Sequence, residues 1–595
     1  MATYAITPSL HSFTFSINCK KLYQISAECE TTFVSDFRSI ATIDRGRAQR
    51  NFTSSKGREI LLDNSVTSLR FLSLPLKDSR VGVDRRVVRP IRGRMGTGSE
   101  NGVQTASNGR ETLVEPKMYH MFVANKARDS SQGKYLDVHN KYTGKVEARV
   151  PLASPDDLEE AIQAAVKAFP ETSRLPSYTR KTILKKVVSE LSRRSEEIAQ
   201  IITMESGKAI KDARQEVERS IDTFELASEE VSRIYGDHMP LDISPRTKGL
   251  QGIVRKFPIG PVSMVSPWNF PLNLVAHKVA PALAVGCSFV LKPSSRTPLS
   301  SLILGQILES CEELPKGAFS ILPVSRHEAD VFTTDERFKL LTFTGSGVAG
   351  WDMKARAGKK KVVMELGGNA PCIVDDLVPD LQGTIARLMI GGFYQAGQSC
   401  IHMQRLYVKD TLYEQVKNGL VEAVKKVKVG NPFDEDTFMG PMISESAAKG
   451  VEEWIHDAVD KGGKVLIGGK RDGPCLYPTI MENVPMEADA RKEEIFGPVL
   501  LIYPYKDFKE AVEEANNTHY GLQAGVFTSD LNKAFYAFET MEVGGVCLND
   551  SPSMRVDSQP YGGLKDSGIQ REGVKYAMDD MMETRVLVMR NVGTL

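Results

Sequence analysis

The stretch Val262-Ser-Met-Val-Ser-Pro-Trp-Asn-Phe-Pro-Leu272 begins as an apolar run and is then interrupted by Pro267 and Pro271. Because proline cannot continue a paired strand, the pattern predicts a buried strand that ends in a loop carrying Trp268 and Asn269. Similar short apolar runs, separated by helix-length segments, stand at 262–265, 288–291, 319–322, 340–343 and 361–364. This alternation predicts an α/β fold with a largely parallel sheet and helices on its faces.

Helices are predicted before these strands. The segment Ser154-Pro-Asp-Asp-Leu-Glu-Glu160 has a capping serine, a proline at the first helical position and acids in the first turn, so a helix is expected from 154 to about 169. Two long amphipathic helices are expected at 177–205 and 211–234, with a break at Gly207. A second α/β set is expected from about 370 to 560, followed by an exposed strand near the C-terminus.

The composition is that of an ordinary globular chain. Its 595 residues exceed what one core organises, so at least two domains are expected. It is 41% hydrophobic and 25% charged with a net charge of +1, and no apolar run is long enough to span a membrane. The eight cysteines include no C-x-x-C pair, which argues against a disulfide framework or a zinc site, and no metal site is predicted.

The first hundred residues differ from the rest. Residues 1–99 carry 16 Lys and Arg against 8 Asp and Glu, and residues 1–27 contain no acid. This composition is typical of a transit peptide to a plastid or mitochondrion, but Met95 as the true start of a cytoplasmic protein explains it equally well. Residues 1–110 are therefore expected to be a leader and linker, and the Arg-rich end of this leader lacks the aromatic residues of a nucleic-acid-binding surface.

Three reactive side chains each follow a predicted core element. Cys400 follows a buried helix that Gly397 breaks, Glu365 ends the strand in Lys361-Val-Val-Met-Glu365, and Asn269 follows the strand described above. Covalent attack on a carbonyl requires a nucleophile, a base to activate water and a donor for the oxyanion. A thiol, a carboxylate and a carboxamide can fill these three roles.

Six motifs, in order and spacing, resemble the aldehyde dehydrogenase superfamily over residues 110–595. They are Pro267-Trp-Asn-Phe-Pro271, Phe343-Thr-Gly-Ser346, Glu365-Leu-Gly-Gly368, Gly397-Gln-Ser-Cys400, Glu494-Ile-Phe-Gly-Pro498 and Pro560-Tyr-Gly-Gly-Leu-Lys565. The resemblance implies a Rossmann-like nucleotide-binding domain at 111–232 and 256–367 and an α/β catalytic domain at 368–563. It also implies a β oligomerisation arm at 233–255 and 564–595, and hence a homodimer or homotetramer.

The resemblance also assigns roles to residues. Cys400 is expected to attack the aldehyde, Asn269 to hold the oxyanion, and Glu365 to activate the water that hydrolyses the thioester. The residues expected to bind the NAD(P) cofactor are Ser266, Trp268, Lys292, Ser295, Arg326, Gly345, Ser346, Glu494 and Phe496. A competing interpretation starts from Gly345-Ser-Gly-Val-Ala-Gly350, which fits a dinucleotide fingerprint and would assign Glu365 to a ribose instead.

The residues near Lys292 favour NADP over NAD. Relatives that prefer NAD usually have, at the position of Ser295, a glutamate that would repel a 2′-phosphate. The usual Gly-rich loop is also replaced by Pro323-Val-Ser-Arg-His-Glu-Ala-Asp330. Arg326 in this segment is expected to contact that phosphate together with Lys292.

The substrate is expected to be a small anionic aldehyde. In relatives that act on such aldehydes, basic residues reach the substrate tunnel from positions that correspond here to Arg219 and Arg555. Succinic semialdehyde is the first expectation, glyceraldehyde 3-phosphate the second and lactaldehyde the third. A non-catalytic relative that keeps the fold would be expected to lack one of Asn269, Glu365 or Cys400, and all three are present.

Overall fold

Residues 115–592 are described by the structure, a computed structural model. They belong to one compact unit of the chain, Gly109–Leu595. The expected leader lies outside the described residues. Among the residues described, no helix is long and apolar enough to cross a membrane.

The first sheet has eight strands, and its five central strands are parallel. In spatial order the strands are Gly568–Ile569, Lys361–Glu365, Leu340–Thr344, Val262–Val265, Phe289–Lys292, Phe319–Ile321, Met121–Val123 and Lys126–Arg128. The central strands are almost wholly buried because both faces of the sheet are covered, which explains their continuous apolar runs. The helices of this region include Asn273–Val285, Leu299–Glu309, Val331–Thr334 and Gly347–Arg356.

Four helices precede most of this sheet: Pro155–Thr172, Ser177–Arg193, Ser195–Ser206 and Ile210–Glu230. The Ser154 side chain caps the first of them, as predicted. The prediction of one helix over 177–205 was wrong, because Arg194 is not helical (φ −105°, ψ 13°) and separates two helices. Glu196 and Glu197 stand in the first turn of the second one, where a helix start favours acids.

The second sheet has seven strands, all parallel except one at its edge. In spatial order they are Lys464–Ile467, Thr479–Glu482, Val499–Tyr505, Met403–Lys409, Ala370–Val374, Gln523–Phe527 and Gly545–Leu548. The helices of this region include Leu381–Phe393, Tyr413–Val424, Glu445–Asp460, Phe508–Asn516 and Leu531–Thr540. The two layered sheets confirm the predicted α/β fold class.

A third, antiparallel sheet is made of Met582–Arg590, Leu250–Pro258 and Asp237–Pro240. Its apolar side chains Val586, Leu587 and Val588 are each more than half exposed. The predicted arm includes two of these strands and residues 250–255 of the strand Leu250–Pro258, while the limits of the three predicted domains stay a prediction. Shorter strands complete the fold at Lys117–Met118, Tyr135–His139, Val146–Pro151, Arg471–Asp472, Cys475–Leu476, Tyr520–Gly521 and Leu564–Lys565.

Candidate active site

Cys400 lies in a tight loop between a helix and a strand of the second sheet. The helix Leu381–Phe393 ends in a short 3-10 turn, within which Gln395, Ala396 and Gly397 all have left-handed backbone angles (φ 52°, 56° and 65°). Side chains rarely adopt this conformation, so two consecutive non-glycine residues in it are held there by their surroundings. The loop thus turns sharply and presents Cys400 away from the helix axis.

Asn269 comes from the first sheet and is bonded to this loop. Its side chain is buried, and its Nδ2 donates to the carbonyl oxygen of Gln398 at 3.1 Å. In return, the side-chain amide of Gln395 donates to the backbone carbonyl of Asn269. The carboxamide is therefore fixed against the segment that carries Cys400, two residues beyond Gln398.

The Cys400 thiol is half-buried and lies 3.0 Å from the Tyr561 hydroxyl. Burial raises the pKa of the thiol to about 12, the Tyr561 hydrogen bond lowers it, and the carboxyl of Glu365 raises it. A thiol with this pKa is uncharged at neutral pH and needs a base to take its proton. The structure therefore requires proton transfer before Cys400 can attack.

Glu365 ends the strand Lys361–Glu365 and is a candidate for that base. Its carboxyl group is buried, and neither oxygen has a hydrogen-bond partner among the described residues. Burial and the charge of Glu572 raise the pKa of Glu365 well above its usual value, while Arg555 and Lys278 act in the opposite direction. A carboxylate in this environment has a strong affinity for a proton.

Glu572 is held between two cations. One of its oxygens lies 3.0 Å from Lys278 Nζ, and the other lies 3.2 Å from Arg555 Nη2. Lys278 also donates to the hydroxyls of Thr342 and Thr344 at 3.0 and 2.7 Å. Although burial opposes ionisation, Lys278 and Arg555 hold the pKa of Glu572 below its usual range. Glu572 is therefore the ionised carboxylate of the site.

Arg555 connects this cluster to Cys400. Its side chain is 6% exposed, and its guanidinium carbon lies 3.7 Å from the centre of the Tyr561 ring. Arg555 Nε is buried and has no hydrogen-bond partner among the described residues. Because the Tyr561 hydroxyl touches Cys400 Sγ, one ring separates this guanidinium from the nucleophile.

Arg219, the other arginine expected to contact substrate, is already paired. It forms two hydrogen bonds to Asp557, at 3.2 and 2.8 Å, and its side chain is 23% exposed. Asp557 also lies 2.8 Å from His277 Nε2 and accepts from Asn273 Nδ2 at 3.3 Å. His277 Nε2 is 3.4 Å from Arg555 Nη2, so the chain of contacts runs from Arg219 to Arg555.

A cavity of about 630 Å³ lies at the carboxyl ends of the first sheet's strands. Four of the residues expected to bind the cofactor line it: Lys292, Ser295, Arg326 and Ser346. Arg326 has no ion pair within the described part of the chain, and Lys292 Nζ makes only a 3.5 Å contact to the carbonyl of Pro293. The lining also contains Asp330 and Asp352, which both pair with Arg356, so Lys292 and Arg326 are the cations of the described lining that have no ion pair. Two such cations fit an anionic group of a dinucleotide.

The remaining expected cofactor residues lie outside this cavity's lining. Trp268 and Phe496 meet edge to face with ring centres 5.3 Å apart, and Phe496 has a left-handed backbone (φ 51°). Glu494 accepts a hydrogen bond from the Gly368 N–H at 2.9 Å, and burial raises the pKa of Glu494 to about 7. Ser266 Oγ is buried and has no hydrogen-bond partner within residues 115–592, so it can bind a ligand.

The position of Glu365 bears on the competing interpretation of the glycine motif. Gly345 donates its N–H to the Glu365 carbonyl at 3.0 Å, but the Glu365 carboxyl does not line the cavity that Ser346 lines. It lies instead with Glu572 and Lys278. This arrangement favours a role as base over a role as ribose ligand.

Four residues of the candidate site were not predicted from the sequence: Lys278, His277, Asp557 and Glu572. The first two lie in the helix Asn273–Val285, all of whose residues are buried. A lysine within an otherwise apolar helix was a signal that a buried partner exists. Glu572 gave no such signal, because its partners lie far away in the sequence.

Comparisons with known proteins show the family to which this chain is similar. A sequence model of the Aldehyde dehydrogenase family matches residues 127–587. A 3-sulfolactaldehyde dehydrogenase from Priestia aryabhattai is 39% identical over 80% of this chain and 99% of its own length.

Two solved structures are similar as well. Aldehyde dehydrogenase 21 from Physcomitrella patens, in complex with the product succinate, is 73% identical with a TM-score of 0.80, covering 81% of this chain and all of that one. The glyceraldehyde-3-phosphate dehydrogenase GapN from Methanocaldococcus jannaschii, complexed with NADP, is 38% identical with a TM-score of 0.74 over 76% of this chain and 99% of its own.

The effect of the Tyr561 hydrogen bond on the reactivity of the Cys400 thiol can be tested. Tyr561→Phe removes the contact that lowers the thiol pKa, so the thiolate fraction should fall. We expect alkylation of Cys400 by iodoacetamide at pH 8 to slow by about tenfold, one pKa unit being a tenfold change in thiolate. Tyr576→Phe, a change at an exposed tyrosine, is the matched control, and Cys400→Ala gives the background of the other cysteines. An unchanged or faster rate would contradict the prediction.

Proposed function

The chain belongs to the aldehyde dehydrogenase family and is an NAD(P)-dependent oxidoreductase acting on aldehydes, and from that premise we propose that it oxidises succinic semialdehyde to succinate and prefers NADP. The observation that carries the proposal is the buried guanidinium of Arg555 on the ring of Tyr561, whose hydroxyl touches Cys400. A short chain with an aldehyde at one end and a carboxylate at the other would bind with its aldehyde at Cys400 and its carboxylate at Arg555.

In the proposed reaction Glu365, as the carboxylate, takes the thiol proton directly or through water, and Cys400 Sγ forms a bond to the aldehyde carbon. The oxyanion that results is stabilised by Asn269 Nδ2 and the backbone N–H of Cys400. Each donor of this kind is worth about 3 to 4 kcal/mol in comparable sites. Asn269 is suited to this role because its hydrogen bond to Gln398 fixes the carboxamide beforehand.

The cofactor residues fit a nicotinamide dinucleotide, with Lys292, Ser295, Arg326 and Ser346 at the cavity and Trp268, Glu494 and Phe496 beyond it. When bound, the cofactor accepts the hydride that leaves the tetrahedral carbon, and a thioester on Cys400 remains. Glu365 first releases the thiol proton to solvent. It then removes a proton from water, whose oxygen attacks the thioester carbon. The carbon–sulfur bond breaks, Glu365 returns its proton to Cys400 Sγ, and the product leaves as a carboxylate after losing its own proton to solvent.

The charges around Arg555 support a substrate with one negative charge. While Glu365 holds a proton, three cationic side chains face two ionised carboxylates, which leaves one positive charge on the group Arg219, Lys278, Arg555, Asp557 and Glu572. Burial and Arg555 lower the pKa of His277, so it adds no charge at neutral pH. A monoanion such as succinic semialdehyde balances this group, whereas the phosphate of glyceraldehyde 3-phosphate overcompensates it and an uncharged lactaldehyde leaves it unbalanced. The succinate bound by the moss relative agrees with this choice.

The exposed apolar strand at the edge of the third sheet supports the proposal of a homodimer or homotetramer. Val586, Leu587 and Val588 lie on the strand Met582–Arg590, which pairs on one side with Leu250–Pro258. An exposed apolar edge strand favours association with another chain. We assign this strand to contacts between copies.

The role of Arg555 is tested by comparing substrates. We expect Arg555→Ala to lower kcat/KM for succinic semialdehyde by at least about tenfold, because a charge-assisted hydrogen bond of roughly 1.5 to 3 kcal/mol is lost. Butanal, which lacks the carboxylate, is the internal control and should keep its kcat/KM within about threefold. Cys400→Ala supplies the inactive baseline. An equal loss on both substrates, or a wild-type preference for butanal, would contradict the proposal.

Asp557→Asn is expected to change the preference between succinic semialdehyde and glyceraldehyde 3-phosphate. Removing one carboxylate leaves two positive charges for the substrate, so the ratio of kcat/KM for glyceraldehyde 3-phosphate to that for succinic semialdehyde should rise. A unit charge about 7 Å away is worth roughly 2 kcal/mol in partly buried surroundings, so a rise of about thirtyfold is expected. Glu218→Gln, on the same helix as Arg219 but exposed, should leave the ratio unchanged. A ratio that stays constant or falls in the Asp557 variant would disprove the argument.

The proposed preference for NADP depends on Arg326. We expect Arg326→Ala to raise KM for NADP by about tenfold and to leave KM for NAD nearly unchanged, because only the 2′-phosphate loses a charged partner. Arg296→Ala is the matched control, since Arg296 is exposed next to Ser295 but does not line the cavity. A lower KM for NAD in the wild type, or equal effects of the two variants, would contradict the preference.

A further inference from the structure

A second cavity, of about 730 Å³, lies where the third sheet meets the N-terminal helices. Its lining comes from the end of helix Pro155–Thr172, the start of helix Ser177–Arg193, and the adjoining ends of strands Leu250–Pro258 and Met582–Arg590. It shares no lining residue with the cofactor cavity. Its volume is within the range of small-molecule sites.

The charged lining of this cavity is entirely cationic. It consists of Arg174, Arg180, Arg255, Lys256 and Arg585, with no Asp or Glu. Lys256 is neutralised by Asp579 at 2.5 Å, whereas the other four have no ion pair within residues 115–592. A concave surface of one sign raises the local concentration of oppositely charged ligands.

Two of these arginines lie directly opposite each other. Arg255 and Arg585 are paired in the antiparallel register, and their guanidinium carbons lie 5.4 and 4.5 Å from the centre of the Phe257 ring. Like charges at directly opposite positions destabilise a sheet unless a counter-charge is present. Glu583 pairs with Phe257 in the same ladder but forms no ion pair with either arginine. An anion bound between the two guanidinium groups would offset their mutual repulsion.

Arg180 supplies a fixed guanidinium in the same cavity. Nη2 donates to Ser177 Oγ at 3.2 Å and Nη1 donates to the Ala284 carbonyl at 2.5 Å, while Nε is buried and has no hydrogen-bond partner in the part of the chain that the structure describes. A solvated surface arginine would be mobile and hydrated, whereas this one is held in place with an unsatisfied donor. Arg180 thus resembles a binding residue more than a surface charge.

The rest of the lining is largely apolar and includes Phe169, Leu175, Ile234, Val285 and Met582. Four unpaired guanidinium groups around such a floor suit planar, bidentate recognition of phosphate oxygens. We propose that this cavity binds a small anion with two or more adjoining phosphate groups, either free or as part of a nucleotide. The site is separate from the chemistry at Cys400.

The proposal is tested by calorimetry on the enzyme saturated with NADP, so that the cofactor site is filled. The probes are sodium pyrophosphate and ADP, titrated at constant ionic strength; the first represents a free anion and the second a nucleotide. We expect saturable binding of at least one probe with one site per chain, and a loss of affinity of at least about tenfold in the double variant Arg255→Gln/Arg585→Gln. Arg590→Gln, on the same strand but outside the cavity, should keep its affinity within about twofold.

The mass of each variant is measured by sedimentation, so that a loss of ligand binding can be distinguished from a change in oligomeric state. Absence of saturable binding of both probes, or equal affinities in the double variant and the wild type, overturns the proposal. A double variant that binds neither probe but also changes its association state overturns it too, because the cavity would then belong to a contact between copies. Arg180→Gln should weaken binding without changing the mass, and it keeps the test informative if the double variant does not fold.

Discussion

The carboxylate of Glu572, held between Lys278 and Arg555, sets the electrostatics of the whole site. Each of the three groups is almost fully buried, so removing any one would leave an uncompensated charge in a region of low dielectric. The ionised Glu572 also raises the pKa of Glu365. One buried ion triad therefore keeps Arg555 in place and keeps the proposed base ready to accept a proton.

The site can form only where the two large sheets meet. Asn269 follows a strand of the first sheet and Cys400 precedes a strand of the second, and the hydrogen bonds through Gln395 and Gln398 join the two loops. The left-handed residues before Cys400 are tolerated because these bonds and the surrounding core fix the turn. Glu494 adds a further link across the site by accepting the Gly368 N–H.

Local sequence patterns were sufficient for the parts of the fold that depend on local structure. The strands Val262–Val265 and Leu340–Thr344 were predictable because buried parallel strands are apolar at every position, and the Ser154 cap was predictable because its partner lies three residues away. The break at Arg194 was missed because an arginine ordinarily continues a helix. The ion network was missed for another reason: Arg219 and Asp557 are 338 residues apart, and no local pattern shows that the fold brings them together.

The proposed substrate and the electrostatics of the site are coupled. A distal carboxylate at Arg555 competes with Glu572 for the same guanidinium. It also brings a negative charge toward Glu365, which strengthens the affinity of Glu365 for the thiol proton. Oxidation then creates a second carboxylate beside Cys400, where Asn269 offers neutral donors but no compensating cation. While Glu365 holds a proton, the surrounding group has one surplus positive charge, which balances the semialdehyde but not the dicarboxylate product. The same charge balance that favours substrate binding therefore favours product release.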